Sequence, residues 1–461
     1  MSVSTPGARD AAGTAPGSVD DKTAVPAAAV DVPAAIWLVT DVYPPGCGGS
    51  GWSTHALAQT LAARGHDVEV ICLDPGARGV SQRVFEGIRV SELGVRRARR
   101  NPARRLGARD YAHRALEAYL TARLAAAPEV ELLHAQHLHS GPPTIAAAMR
   151  CGRGAVQTLR DYWPVCLHGT SFWNGAECPG CSTSDLTGCM SEYWRWPRPL
   201  ARLMVPWARR RLAERRAGVE AAGRVIAVSD WVRRRIERET TTARFSVLPN
   251  IVDGAATRAA AEAAAPLDLP CDDFLVAAGK LVETKGFASM LSALAGAGCR
   301  LPVVIAGAGP QRDLLRRQAA DLGLDLHLPG WVAHPTLLRL IASARGFLLP
   351  GTWNEPLSRL LLEALALGIP VVAWPSGGNT EHLEAGVDAL VVEDTEQLRA
   401  ALAVLDDPQR ARALGAAGAE LARRSFSPEA VYPQLIAAYR EALAAQPAAG
   451  EENAAVAGPA R

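Results

Sequence analysis

The chain has 461 residues, with 49 basic and 47 acidic side chains for a formal net charge of +2, and 49% of its residues are apolar. That length exceeds one ordinary domain and suits two or three, while the near-balanced charge excludes a global attraction to nucleic acid. No run approaches the roughly 18 uninterrupted apolar residues of a membrane-spanning helix.

Residues 1–33 mix Pro, Gly, Ala and acids, without the basic then apolar order of a signal peptide. They read as a disordered leader, and a cytoplasmic placement is expected. The nine cysteines then meet a reducing compartment, where burial or metal ligation outranks disulfides. From Ala34 the text becomes a buried strand, AIWLVTDVYPP. A loop with Gly46, Gly48, Gly49 and Gly51 follows, then an amphipathic helix and the strand HDVEVICLD. Strand, glycine loop, helix and strand form a parallel βαβ unit. Its loop admits close backbone approach to a phosphate or sugar oxygen, or is a tight turn only. The spacing does not fit the dinucleotide pattern G-x-G-x-x-G.

Seven arginines lie between Arg96 and Arg109; they read as a solvated basic loop or a contact with an anionic acceptor or membrane surface. ELLHAQHLHSG gives a strand with His134, His137 and His139 at its end. Next comes a glycine-rich aromatic loop, 166–189, with Cys166, Cys178, Cys181 and Cys189. The two-residue gap between Cys178 and Cys181 suits one shared metal ion, and four sulfurs suit structural zinc. Separate reduced thiols, or a redox role, stay open. EYWRWPRPLARLMVPWARRRLAERRA is basic and aromatic at helical spacing, a packed helix or a membrane-surface one. GRVIAVSDWVRRRIE is strand, turn and helix with Ser229 as N-cap, and FSVLPNIVD is a further strand.

Residues 254–272, rich in Ala, Pro and Asp, read as a linker between a first domain, 34–253, and a second, 273–428. The second restarts the pattern: a strand, a loop with Lys280 and Lys285, a helix, then a strand with a glycine loop at Gly307 and Gly309. A terminal helix, 429–445, is expected to pack back on the first domain, and 446–461 is an acidic, Ala-rich tail. Alternating strands and helices in both halves mean two doubly wound domains with a cleft between them.

Ligands of such folds bind outside the carboxyl ends of the strands. Lys280 and Lys285 supply two cations suited to a diphosphate leaving group. Gly307 and Gly309 offer backbone to a flat base. The stretch GTWNEPLSRLLLEALALG carries Glu355 and Glu363 eight positions apart. A helix beginning near Pro356 would direct the amides of Leu357 and Ser358 at a phosphate. Glu363 would then stand roughly 10 Å further along at 1.5 Å per residue, about the span from a sugar across a diphosphate to a ribose.

The segments PPGCGGSGWSTHALAQTLAARGHDVEV, AVSDWVRRRI, VLPNIVD, GKLVETKG, VIAGAGP, NEPLSRLLLEALALGIPVVA and GGNTEHL together resemble glycosyltransferase family 4 from about Ile36 to Tyr439. The resemblance implies an α/β protein of GT-B fold, two facing Rossmann-like domains with parallel sheets and an interdomain cleft. It implies retaining transfer of a sugar from a nucleotide-diphosphate donor to an acceptor hydroxyl. In this reading Lys280 and Lys285 neutralise the diphosphate, Glu355 contacts the sugar, Glu363 binds the ribose, and Gly48–Gly49 closes over donor and acceptor. Arg160, with Asp161 beside it, lies near the sugar. The family usually has arginine at Lys280 and histidine at Arg160. No D-x-D pattern occurs, so the chemistry is expected to need no metal cofactor. An epimerase or hydrolase of the same architecture, or a non-catalytic partner subunit, is the alternative. The acceptor is not named by the sequence; no nucleic-acid partner is expected, and a peripheral membrane contact is.

Overall fold

The computed structural model describes residues 32–445 apart from 75, 95–101, 174, 179 and 242; the side chains of 102–112 are also outside the description. The expected leader, the tail and most of the arginine-rich run 96–109 fall outside these residues.

The first sheet is built from β1 (Ala35–Thr40), β2 (Asp67–Asp74), β3 (Val80–Phe85), β4 (Ile88–Gly94), β5 (Val130–Ala135) and β6 (Gly154–Leu159). A separate two-stranded ribbon, β7 (Phe172–Trp173) and β8 (Ala176–Glu177), lies in the cysteine loop, and β9 (Arg224–Ala227) and β10 (Phe245–Val247) complete the sheet. Its order is β10-β9-β6-β5-β1-β2-β4-β3, parallel except where β3 pairs antiparallel with β4. The strands β1 and β6 are buried at every residue, as expected where helices cover both faces of a parallel sheet. The hairpin between β3 and β4, which the sequence reading passes over, turns on Glu86 and Gly87, both at positive φ. That is the backbone a two-residue I′ turn demands.

The second sheet comprises β11 (Leu275–Ala278), β12 (Val303–Ala306), β13 (Leu326–Gly330), β14 (Gly346–Leu349), β15 (Val371–Ala373) and β16 (Leu390–Val391). Its order is β13-β12-β11-β14-β15-β16, all parallel. In each sheet the order reverses beside the first strand, between β1 and β5 and between β11 and β14. The crevice at such a reversal is where open α/β sheets receive ligands, and the loops that follow β11 and β14 carry Lys280, Lys285 and Glu355. The architecture is the GT-B fold.

Two local readings change. Residues 254–272 do not run as an open linker: Gly254–Ala263 is a helix whose first amides, of Ala255 and Ala256, donate to Asp253 Oδ1. Six of its ten residues are alanine, the best helix former, and Arg258 ties it to the Ala366 carbonyl. The Trp- and Arg-rich stretch is not one helix but three, Thr183–Trp194, Arg198–Leu203 and Val205–Glu220. Pro197 and Pro206 stand at the breaks, where a helix interior rejects them. Trp194 packs against Trp196 and Trp207. The terminal helix, Pro428–Ala444, lies on the first sheet. There the hydroxyl of Tyr439 meets His134 Nδ1 at 2.8 Å, and the other ring nitrogen meets Thr158 Oγ1 at 2.6 Å. Burial favours the neutral form of His134, and its ring ties the terminal helix to β5 and β6.

Candidate functional site

The site begins where β14 ends. Residues 351–358 form an irregular loop, and the helix starts at Arg359 rather than near Pro356, ending at Ala366 with Ser358 as N-cap. The delay has a visible cause: the Ser358 N–H donates to Asn379 Oδ1 at 2.7 Å. The expected phosphate contact of the Ser358 amide is therefore corrected, because that donor is already engaged; Leu357 is buried. The amides left by helix geometry at this end belong to the turn beginning at Arg359. Glu363 then stands one turn into the helix, about 6 Å from its start, not 10 Å.

Glu355 lies in the loop, and its Oε1 accepts from Lys285 Nζ at 2.6 Å. The lysine stem passes Gly279, whose added Cβ would sit 4.0 Å from Lys285 Cδ, so Lys285 lies beside the end of β11. Lys280, at that same end, is exposed. Gly307 and Gly309 pack closely against the loop that follows β11. A Cβ on Gly307 would meet the Gly279 carbonyl at 1.8 Å, and one on Gly309 the Leu281 carbonyl at 2.4 Å. On that side the close neighbour is the β11 loop itself, which only glycine can approach.

Glu363 is buried at 1% exposure. Its Oε1 meets His334 Nε2 at 2.8 Å and Arg359 Nε at 2.7 Å, while Oε2 is buried without a hydrogen-bond partner. Burial opposes ionisation, but Arg359 and His334 outweigh it and hold the carboxyl below its usual value. An ionised acceptor with one unoccupied oxygen is a built feature, since an unpaired buried oxygen costs about 1–3 kcal/mol.

The first half reaches this site at several points. A Cβ on Gly49 would lie 3.2 Å from Arg359 Cβ, whereas one on Gly48 meets nothing within 4 Å. Trp52 stacks on His334 with ring centroids 4.0 Å apart. Tyr162 Oη donates to the Asn354 carbonyl at 2.6 Å, and Asn354 Nδ2 donates to Glu177 Oε2 at 3.2 Å. The amides of Asp230 and Trp231 donate to Glu381. Arg160, following β6, donates from Nε to Asn250 Oδ1 at 2.9 Å and from Nη1 to Gln136 Oε1 at 2.7 Å. Burial and the like charge of Arg359 bring it down to about 9, so two guanidiniums face one region of the cleft. Asp161 accepts from the Trp163 amide at 2.7 Å. Burial pushes its carboxyl up to about 6 against that bond and the Arg215 charge.

Sequence reasoning passed over Arg359, His334, Trp52 and Asn379. Arg359 was within reach, because it stands four residues before Glu363 on one helix face. The other three carry no local signal.

All nine cysteines are free thiols. Cys178, Cys181 and Cys189 are each pushed up by burial first, then by the charge of Cys166. The four therefore share one neighbourhood. Among the described residues no group of three or more His, Cys, Asp or Glu is arranged to hold a metal ion, so the tetrahedral thiolate set is not assembled in this arrangement. Among the described residues no helix is long and apolar enough to cross a membrane.

Residues 47–255 match the family model described as "Glycosyltransferase Family 4", and residues 267–421 match "Glycosyl transferases group 1". Among curated proteins the chain is 33% identical over 193 residues to the lipopolysaccharide core biosynthesis glycosyltransferase LpsE of Rhizobium meliloti, covering 40% of this chain and 53% of that one. It is 35% identical over 161 residues to the GDP-mannose-dependent alpha-(1-6)-phosphatidylinositol monomannoside mannosyltransferase of Mycolicibacterium smegmatis, covering 31% and 41%. The matches thus span about half or less of the curated relatives' length. Among solved structures, the sucrose-phosphate synthase of Thermosynechococcus elongatus aligns with a TM-score of 0.61 at 22% identity, over 89% of this chain and all of that one. The Anabaena protein HepE in complex with UDP aligns at 0.59 and 19%, over 87% and 98%. These structural likenesses speak for the fold, and the two family models for descent: the chain belongs to glycosyltransferase family 4.

Proposed function

We propose that the protein moves a sugar from a nucleotide-diphosphate donor to an acceptor hydroxyl, with retention and without a metal ion in the chemistry. The observation that carries the reading is the pair of carboxylates at the β14 loop and helix. Glu355 is bound to Lys285 at 2.6 Å, and Glu363 is held ionised with Oε2 unpartnered. In the bound donor the ribose hydroxyls donate to Glu363 Oε2, the diphosphate takes Lys285 and Lys280, and Glu355 receives a sugar hydroxyl. Arg160 and Arg359 add positive charge on the same cleft. The bond from the anomeric carbon to the diphosphate oxygen breaks as the acceptor oxygen bonds to that carbon on the same face. The acceptor's proton passes to a phosphate oxygen of the leaving group. Preorganised cations acting on developing phosphate charge are the main protein contribution.

The acceptor class is open between a glycan, a lipid-linked and a small-molecule hydroxyl. Exposed Leu203 and Leu200 beside Arg198 and Arg202 favour a contact at an anionic membrane surface. Structural zinc at Cys166, Cys178, Cys181 and Cys189 belongs to the same proposal. Its support is the shared neighbourhood of the four thiols, which a metal would deprotonate and draw together.

Nucleotide diphosphate release from UDP-, GDP- and ADP-sugars, measured with and without acceptor extracts, tests the function. Release that depends on the acceptor supports transfer. Release without acceptor points to a hydrolase, and no release from any donor points to a non-catalytic subunit; either outcome overturns the proposal.

A further inference from the structure

A cavity of about 630 Å³ lies away from the carboxylate pair, between the helix Val205–Glu220, the end of the helix Asp230–Glu237 and the cysteine loop. Its wall holds Arg209, Arg216, Arg235, Arg238, Glu239 and Cys181, over an apolar floor. Four guanidiniums thus face one carboxylate, and that carboxylate is already divided. Glu239 Oε2 meets Arg216 Nη1 at 3.1 Å, and its Oε1 meets Arg235 Nη1 at 2.9 Å. Arg235 is buried at 5% exposure, and its Nε also donates to Ser171 Oγ at 2.9 Å.

The two remaining guanidiniums meet little negative charge. Arg209 Nη2 donates to the neutral hydroxyl of Thr183 at 3.0 Å. For Arg238, the Glu177 carboxylate stands 4.0 Å away at the rim. Glu214, the other acid on the long helix nearby, is engaged by Arg210 and Arg211. With Glu239 inside and Glu177 at the rim set against the four guanidiniums, the hollow carries an excess of about two positive charges, and like charges crowded in a partly desolvated space repel unless an anion joins them.

The guanidinium fork matches phosphate oxygens in pairs. The volume lies within the range of small-molecule sites and exceeds what a bare phosphate fills, and the apolar floor suits an organic body attached to it. We infer that this cavity binds a phosphate-bearing organic ligand, its phosphoryl group held by Arg209, Arg216, Arg235 and Arg238.

The site also touches the donor half through one residue. Glu177, beside Arg238, accepts the hydrogen bond of Asn354 in the β14 loop, so an anion that draws Arg238 inward changes the partner set of Glu177. The inference does not depend on the proposed transfer, because binding is read without turnover.

The test uses the full chain carrying Lys285→Ala, so that phosphate binding at the diphosphate position is weakened in every sample. Inorganic phosphate is titrated by calorimetry into this protein and into the same protein with Arg209→Ala and Arg238→Ala. Both added positions are exposed, and equal melting temperatures establish that both samples are folded. Binding at least tenfold weaker in the protein with the added substitutions is the expected result. Equal binding in the two proteins, or no binding to the parent up to 50 mM phosphate, overturns the inference. Co-sedimentation with phosphatidic acid vesicles and with neutral phosphatidylcholine vesicles identifies the source. Phosphatidic acid binding that needs both arginines assigns the phosphate to a lipid headgroup, and arginine-dependent binding of phosphate alone assigns it to a soluble compound; each supports the site.

Discussion

Trp52 of the first half and His334 of the second stack with ring centroids 4.0 Å apart and planes 25° from parallel. His334 in turn holds Glu363 Oε1 at 2.8 Å. A residue of the first half thus positions the carboxylate proposed to receive the donor ribose, through one imidazole. Trp52→Ala removes the stack and leaves the ion pair. The expected outcome is a donor KM raised about tenfold, for a loss of about 1.4 kcal/mol, with kcat changed less. An unchanged donor KM with a raised acceptor KM would assign Trp52 to the acceptor instead.

Lys285 is the cation whose loss is hardest to replace, because it is bonded to Glu355 and seated against Gly279. Lys285→Ala is expected to lower turnover by two or more orders of magnitude, about 2.7 kcal/mol or more of transition-state stabilisation. Circular dichroism should show an intact fold. Near-normal activity in a folded variant defeats the donor assignment.

Asp161 supplies a pH-dependent term. Its carboxyl is raised in the folded chain from 3.8 to about 6, so between those values the folded state binds more protons than the unfolded one. Stability contributed by this group is therefore greatest at low pH and falls as pH rises, up to ~3 kcal/mol by pH 7. Asp161→Asn keeps an oxygen for the Trp163 amide and removes the titration. In urea melts the variant should gain on the parent from pH 5 to pH 8, and a constant difference across that range rejects the assignment.

The cysteine loop has its own readout. Metal analysis of purified protein is expected to find about one equivalent of zinc, lost when Cys178→Ser and Cys181→Ser are combined. A metal-free parent with an undiminished melting temperature ends the zinc proposal.

The sequence by itself made the parallel sheets legible, because strands covered on both faces read as nearly continuous apolar runs, as β1 and β14 do; β6 is equally buried but carries Gln157 and Thr158 and gives no such run. It also placed Lys285 and Glu355 in loops that follow strands of the second half, at the carboxyl edge where such sheets take ligands, while the adjacency of β11 and β14 came from the structure. Caps were legible for the same local reason: Ser229 takes the Val232 amide at 3.4 Å because an N-cap needs only its own next turn.

Only the tertiary structure decided the rest. Asn379 fixes where the Arg359–Ala366 helix begins, from 21 residues away in sequence, and no local pattern encodes that bond. Gly307 and Gly309 read as ligand-facing because glycine permits any close approach, and only the fold shows that they also pack against the backbone of the loop after β11. Trp52, His334 and the divided Glu239 acquire their meaning from partners brought together by the chain's folding. A hydrogen bond or a stack between distant segments is set by packing, and packing leaves no period in the sequence.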